Sequence, residues 1–483
     1  MALANSDLNA ALAVTRFGLG ARPGEIAQAA QDPRGWLTAQ IQPRGVASPD
    51  GVPPAGQRLA ELRDYQMSVR EMRQDRRQDG QAPATPPGPD AGAPPGRPER
   101  DPVTFARRLL REETGGDFMA RLRLACATPD SFAERWALFF ANHFTVSATK
   151  LATATVVGPF ESEAIRPHVF GRFGDLLDAA ESHPAMLLYL DQAQSIGPDS
   201  PLARRAAFAA RKRSPGLNEN LAREILELHT VGVNGGYSQA DVTEFARALT
   251  GISLPGPREA QIAAQPVVFR PMAHEPGART ILGVRYGQEG RAQAQAVLRD
   301  LAAKPATARF VCGKIARHFV VDDPPPALTG RLEAAWTRSG GDLAQVAQAL
   351  VTAPEAWSPQ PAKFKTPYEF IVSCHRAVGA GPTGLDKVAP ILTALGQRPF
   401  SAPSPKGWPE DAEAWAAPDA IVKRMQYAQA FAAVVARSRD PSAIAAEALG
   451  ARLTPATATA VARAETRPEG LALLLMSPEF QRR

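Results

Sequence analysis

The 483-residue chain is poor in cysteine: only Cys126, Cys312 and Cys374 are present, odd in number and far apart, so no disulfide framework is expected. No Cys-x-x-Cys pair occurs, which removes a thiolate zinc site, and the three thiols read as small buried hydrophobes. Long apolar runs are also missing. No stretch of about 18 apolar residues could span a bilayer, so no membrane span is expected. Met1 to Thr15 lacks the basic start and continuous apolar run of a signal peptide. The expectation is a cytoplasmic protein, reaching the periplasm only by co-export with a signal-bearing partner. His-Glu-x-x-His, Gly-x-Ser-x-Gly and the phosphate-binding P-loop are absent, and Gly18-Leu19-Gly20 neither follows a strand nor has the third glycine of a dinucleotide loop. Charge of one sign is barely in excess, with 55 Lys and Arg against 49 Asp and Glu for a net +6. No basic block alternates with aromatics, so no nucleic-acid partner is expected.

What is present is a large apolar inventory, 44% of residues, in a chain long enough to bury a sizeable core. Its spacing is that of helices. The predicted fold is mainly α: a large multi-helical globular protein interrupted by a disordered, Pro/Gly-rich insertion. The predicted divisions are an N-terminal helical segment (1–78), the flexible insertion (79–102), a central helical region (103–251) and a C-terminal helical region (252–483). Trp136 to Phe144 is among the most aromatic runs, so its helix belongs at the centre, with Asn142-His143 near the helix end. Beyond Gly251 an irregular segment contains one extended candidate, Val267 to Pro271. Helices are then predicted over 288–303, 305–320, 325–338, 342–352, 366–378, 384–395, 418–437, 441–449, 455–464 and 468–476. Leu350 to Trp357 echoes Leu474 to Gln481, each a helix ending before Ala-Pro-Glu or Ser-Pro-Glu.

The densest polar chemistry lies at 218–251. It reads as a helix, a glycine turn at Gly232 to Gly236, and a second helix opened by Ser238 and Asp241 as a near capping box. Leu221, Ile225 and Leu228 should line one face of the first helix, with Asn220, Arg223, Glu224 and Glu227 on another. Val242, Phe245, Ala246 and Leu249 should be the buried stripe of the second. Candidate catalytic residues are Glu224, Glu227, His229 and His143, since carboxylates and imidazoles carry acid–base chemistry. His143 could equally be a satisfied core histidine. Candidate substrate-binding residues are Asn218, Asn220, Arg223 and Arg247. Glu224, Glu227 and His229 have the wrong spacing for a standard metal box, so a divalent metal would need distant donors, with Glu161, His168 and Asp241 as metal candidates. A calcium loop would put Thr230 and Gly232 where acids are needed. The alternative is structural: Arg223 pairing with Glu227, Asn220 with Glu224, and Arg247 completing a buried network. The residues allow a metal-assisted or carboxylate-dependent hydrolase.

These same residues carry a resemblance. Asn218 to Glu224, Leu228-His229-Thr230, Gly232-Val233, Gly235-Gly236-Tyr237, Asp241-Val242, Ala246-Arg247 and Thr250-Gly251 together resemble the bacterial "domain of unknown function 1800" family. Asn142-His143-Phe144, His183 to Met186, Lys363 to Phe370 and Ser477 to Phe480 extend the match over nearly the whole chain. The resemblance implies a mainly helical protein and no established activity. Two departures stand out: no histidine precedes Arg16-Phe17-Gly18, and Ile252 follows Thr250-Gly251 where the family commonly has Trp. The resemblance also implies a companion from the "domain of unknown function 1501" family, similar to sulfatases and phosphatases and often exported, so a non-catalytic assembly role is the alternative.

Overall fold

The computed structural model describes residues 2–78, 108, 112–208, 216–256, 266–436 and 439–483. The Pro/Gly-rich insertion and Arg211 to Arg213 lie outside the described residues. The helix Ser131–His143 is wrapped on nearly every side: Phe132, Trp136, Phe139 and Phe140 are buried, and so are its charged residues Glu134 and Arg135. Trp136 stacks on Phe170 at 6.0 Å and donates its indole N–H to the Val169 carbonyl at 2.7 Å, so its one polar atom is satisfied.

Residues from all three helical stretches named above share one apolar cluster. Phe17 lies 6.3 Å from Phe132 and 4.9 Å from Trp357, ring centre to ring centre, tying the beginning, middle and last third of the chain together. Buried cations add directional links. Arg16 donates to the carbonyls of Ala356, Ser358 and Gln360 at 2.9, 2.5 and 2.6 Å. Arg376 grips both Glu25 oxygens at 2.8 Å and also reaches the carbonyls of Gly20 and Thr128.

The later helices fall close to their predicted positions, at Arg291–Ala303, Pro305–Phe319, Pro326–Ser339, Leu343–Thr352, Pro367–Val378, Leu385–Ala394, Pro418–Val435, Pro441–Leu449, Pro455–Ala462 and Arg467–Met476. Proline recurs at the first helical position, where its missing N–H costs nothing. The echo at 350–357 and 474–481 is a shared device: a helix stops, and Pro354 or Pro478 starts a single further turn that buries Trp357 or Phe480.

Val268–Phe269 does form a strand, antiparallel to Ile252–Ser253. A second hairpin, Arg279–Ile281 with Val284–Tyr286, corrects the reading of this stretch as merely irregular. Its two-residue turn is Leu282-Gly283, both at positive φ (47° and 77°). The usual Asn-Gly or Asp-Gly signal is missing, and Asp241 holds the turn instead by accepting the Leu282 N–H at 2.6 Å. Near the chain's end, Lys363 and Lys365 exchange backbone hydrogen bonds with Gln481 and Arg483, seating the Arg483 side chain in the core. Among the described residues no helix is long and apolar enough to cross a membrane.

Candidate active site

The motif folds as Asn220–Glu224 in α-helical form and continues as a π-helical turn over Ile225–His229. A π turn inserts one residue into the helical phase. That shift corrects the face assignment: Leu221, Ala222, Ile225, Leu226 and His229 are buried, while Leu228 is only partly covered. It also undoes the expected charge pairs. Arg223 reaches back to Glu219 at 3.2 Å and across to Gln239 at 3.0 Å, and Glu227 receives the Tyr237 hydroxyl at 3.4 Å. Arg247 pairs with Glu244 at 2.5 Å and lies 3.8 Å from Glu275, away from any Arg223–Glu227 network.

Gly232 ends the helix at φ +82°, and its N–H closes onto the Leu226 carbonyl at 3.0 Å. A Cβ here would sit 2.7 Å from the Phe310 ring. Gly232→Ala is therefore expected to lose about 1–2 kcal/mol from left-handed backbone strain, with the ring contact adding to it. Urea unfolding of the variant checks this, and an unchanged midpoint would contradict it. Ser238 and Asp241 form the capping box as read, and Val242, Phe245, Ala246 and Leu249 are buried.

His229 is fully buried, with Nδ1 2.7 Å from Glu181 Oε1. His143 is also buried, and its Nε2 lies 3.1 Å from the His229 carbonyl. The Lys314 ammonium stands 2.9 Å from His143 Nδ1. Lys314 therefore donates to Nδ1, and Nε2–H donates to the carbonyl, which fixes one neutral tautomer. Burial and the Lys314 charge push the His143 pKa well below its ordinary value. Burial brings Lys314 itself down to about 8. His143 thus joins the motif as a hydrogen-bonded brace between Lys314 and the His229 backbone.

Glu224 is half-buried on the same seam. Burial raises its pKa; Glu227 and Glu181 add to the rise, while His229 and Arg223 oppose it. Its charge and burial together push the Tyr189 phenol up to about 12, with burial the larger cause. The seam thus combines a carboxyl biased toward its protonated form with a buried imidazole–carboxylate pair.

The remaining candidates disperse. Asn218 closes a turn, donating to the Leu190 carbonyl at 2.8 Å and accepting from Asn220 N at 3.0 Å, while Asn220 is exposed. Glu161 binds Arg121 at 2.7 Å, away from the motif. His168 is partly exposed, in the turn after the π segment Glu161–Ile165. Asp241 uses one oxygen on Ser238 and the other on Leu282. Among the described residues no group of three or more His, Cys, Asp or Glu could hold a metal ion, so these donors do not fit a metal centre.

Sequence reasoning missed Glu181 and Lys314, although a signal existed. Glu181 stands four residues after Leu177 on the apolar stripe Phe173, Leu177, Ala180, and Lys314 stands three after Val311. A charged residue on a buried stripe needs a partner.

It also missed a cavity of about 100 Å³ on the other side of the Ser131–His143 helix, lined by Arg121, Arg135, Glu161, His318, Tyr368 and Glu369 among others. Asn142 faces this side, exchanging hydrogen bonds with the Trp408 backbone at 2.7 and 3.0 Å, so adjacent residues Asn142 and His143 serve different neighbourhoods. His318 Nδ1 lies 2.8 Å from Glu410, and Nε2 accepts from Arg135 at 3.2 Å. Burial, with help from Arg135 and Arg483, lowers His318 to about 4.

No curated protein and no solved structure matches the chain. The family comparison does return a match, and it reaches through the whole motif and both flanking helical regions. The chain belongs to the family described as "Protein of unknown function (DUF1800)", whose sequence model matches residues 12–482.

Proposed function

We propose that the chain is a carboxylate-dependent hydrolase with Glu224 as its proton donor. The observation that carries this reading is the half-buried Glu224, its pKa raised by burial and by neighbouring carboxylates, beside the Glu181–His229 pair. Such a carboxyl keeps a proton at higher pH than a solvated one and can pass it to a leaving oxygen. In this reading Glu227, which accepts from Tyr237, takes a proton from the attacking water. Water adds to the substrate, the ester-type bond breaks, and the two proton transfers balance. The metal-assisted form has less support, since the donor set does not gather.

The test is turnover of chromogenic carboxylic ester, phosphoester and glycoside substrates by the wild-type chain and Glu224→Gln. Turnover lost in the variant supports the reading; equal turnover in both, or none by the wild type with any of the three classes, counts against it.

A second reading, assembly with a companion of the domain of unknown function 1501 family, is favoured by one observation. Val422, Met425 and Val434 of the helix Pro418–Val435 are 51%, 44% and 68% exposed, and Leu473 is 41% exposed. Val422 and Met425, three residues apart, are neighbours on one helix face, and exposed apolar neighbours of this kind occur at protein interfaces. Co-expression with such a companion should give a complex that Val422→Asp with Met425→Asp disrupts. Failure of the wild-type chain to form it would remove this reading.

A further inference from the structure

The cavity beside Asn142 has features that the acid–base seam leaves unexplained. Tyr368 is 5% exposed and its hydroxyl, which lines the cavity, completes no hydrogen bond. A buried hydroxyl without a partner carries a desolvation cost of about 1–3 kcal/mol, so its retention calls for an occupant that accepts its proton. Arg121 flanks it, its guanidinium 4.8 Å from the Tyr368 ring centre and 5.2 Å from that of Phe400. One Arg121 nitrogen is taken by Glu161 at 2.7 Å, while its Nε–H completes no hydrogen bond. The guanidinium and the phenol oxygen are close enough to interact directly, yet the phenol's own O–H donates to nothing. Both donors belong to residues that line one small space.

The walls decide what kind of acceptor fits. Phe118, Leu138, Ala141, Val146 and Phe400 make much of the lining apolar. A volume of about 100 Å³ is well below the roughly 300–1,000 Å³ of pockets for drug-sized ligands, so the cavity suits a small molecule. Glu161, Glu369 and Glu410 also line the cavity, but each is already paired with a cation, Glu161 with Arg121, Glu369 with Arg135 and Arg483, and Glu410 with His318. Against the pull of burial, Arg483 and Arg135 hold the Glu369 carboxyl far below its ordinary range, and His318 and Lys363 bring Glu410 to about 2. Burial and Arg483 depress Arg135 to about 9.

We propose that this cavity is a binding site for a short-chain carboxylate, its anionic head on Arg121 Nε and the Tyr368 hydroxyl and its aliphatic tail against Phe118, Leu138 and Phe400. The loop carrying Trp408 and Glu410 covers the site. Gly407, at φ +84°, lets this loop approach, since a Cβ there would meet the Asn142 carbonyl oxygen at 2.5 Å. The site is separate from the Glu224 seam and does not depend on the seam being catalytic.

The experiment is titration calorimetry of the full chain, in buffer free of carboxylates, with acetate, propionate and butyrate, and with propionamide as the neutral match. Saturable binding of at least one carboxylate, with propionamide at least tenfold weaker, is expected. Tyr368→Phe removes a buried hydroxyl whose proton has no acceptor, so the variant should stay folded yet weaken carboxylate binding about tenfold or more, the worth of a hydrogen bond to a charged group. Glu224→Gln should bind as the wild type does. No saturable binding by any of the three carboxylates, equal binding of propionamide, or undiminished binding by Tyr368→Phe would overturn the proposal and leave a water-filled cavity.

Discussion

Glu134→Ala is expected to cost about 3–5 kcal/mol of stability, the penalty for leaving a buried charge without its partner. Arg166 meets Glu134 in a two-pronged contact at 2.7 and 2.8 Å, both side chains being 1% exposed. The pair bolts the central Ser131–His143 helix to the end of the π segment Glu161–Ile165. Once the carboxylate is gone, the guanidinium keeps only the Ala47 carbonyl at 2.7 Å and cannot reach solvent. The Lys150–Asp191 pair provides the contrast. Its separation is also 2.7 Å, but its side chains are 44% and 50% exposed, so Asp191→Asn should cost no more than about 1 kcal/mol. Urea unfolding of both variants separates the effect of burial from that of distance. Equal losses would contradict this account of the core.

Glu224→Gln is expected to lower hydrolytic turnover by about 10²–10⁴-fold, the usual worth of a positioned general acid. Gln keeps the shape and loses the proton. In the wild type, the rate should fall as pH rises through the raised Glu224 pKa, because the protonated form is the active one. Stability should move the other way in the variant. A carboxyl whose folded pKa lies above its unfolded value of about 4.3 contributes stability below that value and loses it as pH rises through the folded pKa. Above its folded pKa the wild type therefore carries an ionised, half-buried Glu224 near Glu227 and Glu181, and Gln relieves it. The variant should be the more stable protein above that pKa, and the difference should vanish below about pH 4. A site that gains stability when its acid is removed has been kept for something other than stability.

Much of the architecture was legible because helices announce themselves by period and by proline. Pro305, Pro367, Pro418, Pro441 and Pro455 each open a helix close to its expected start, and Gly232 ends one in the conformation that its position suggests. The hairpin at Arg279 to Tyr286 was not legible, because its turn is held by Asp241 from another element and carries no Asn-Gly or Asp-Gly signal. The motif's pairings were misread for a related reason. A π turn over Ile225–His229 leaves no mark in composition, yet it moves Glu227 off the Arg223 face and sends His229 into the core to meet Glu181. His143, far from the motif in sequence, reaches it through its hydrogen bond to the His229 carbonyl. The cavity could not be seen at all. Arg121, Tyr368 and Glu410 are far apart in the chain, and only the packing of three distant stretches around the Trp136 helix brings them together.

The most direct measurement is a carbon-13 titration of the glutamate side-chain carboxyls, with the Glu224 signal assigned by its absence in Glu224→Gln. The account predicts a midpoint clearly above the ordinary glutamate value, falling when Glu227→Gln removes one of the neighbouring carboxylates that help raise it. A midpoint at or below that ordinary value, indifferent to Glu227, would mean that Glu224 is a solvated surface acid and that the seam has no proton to give.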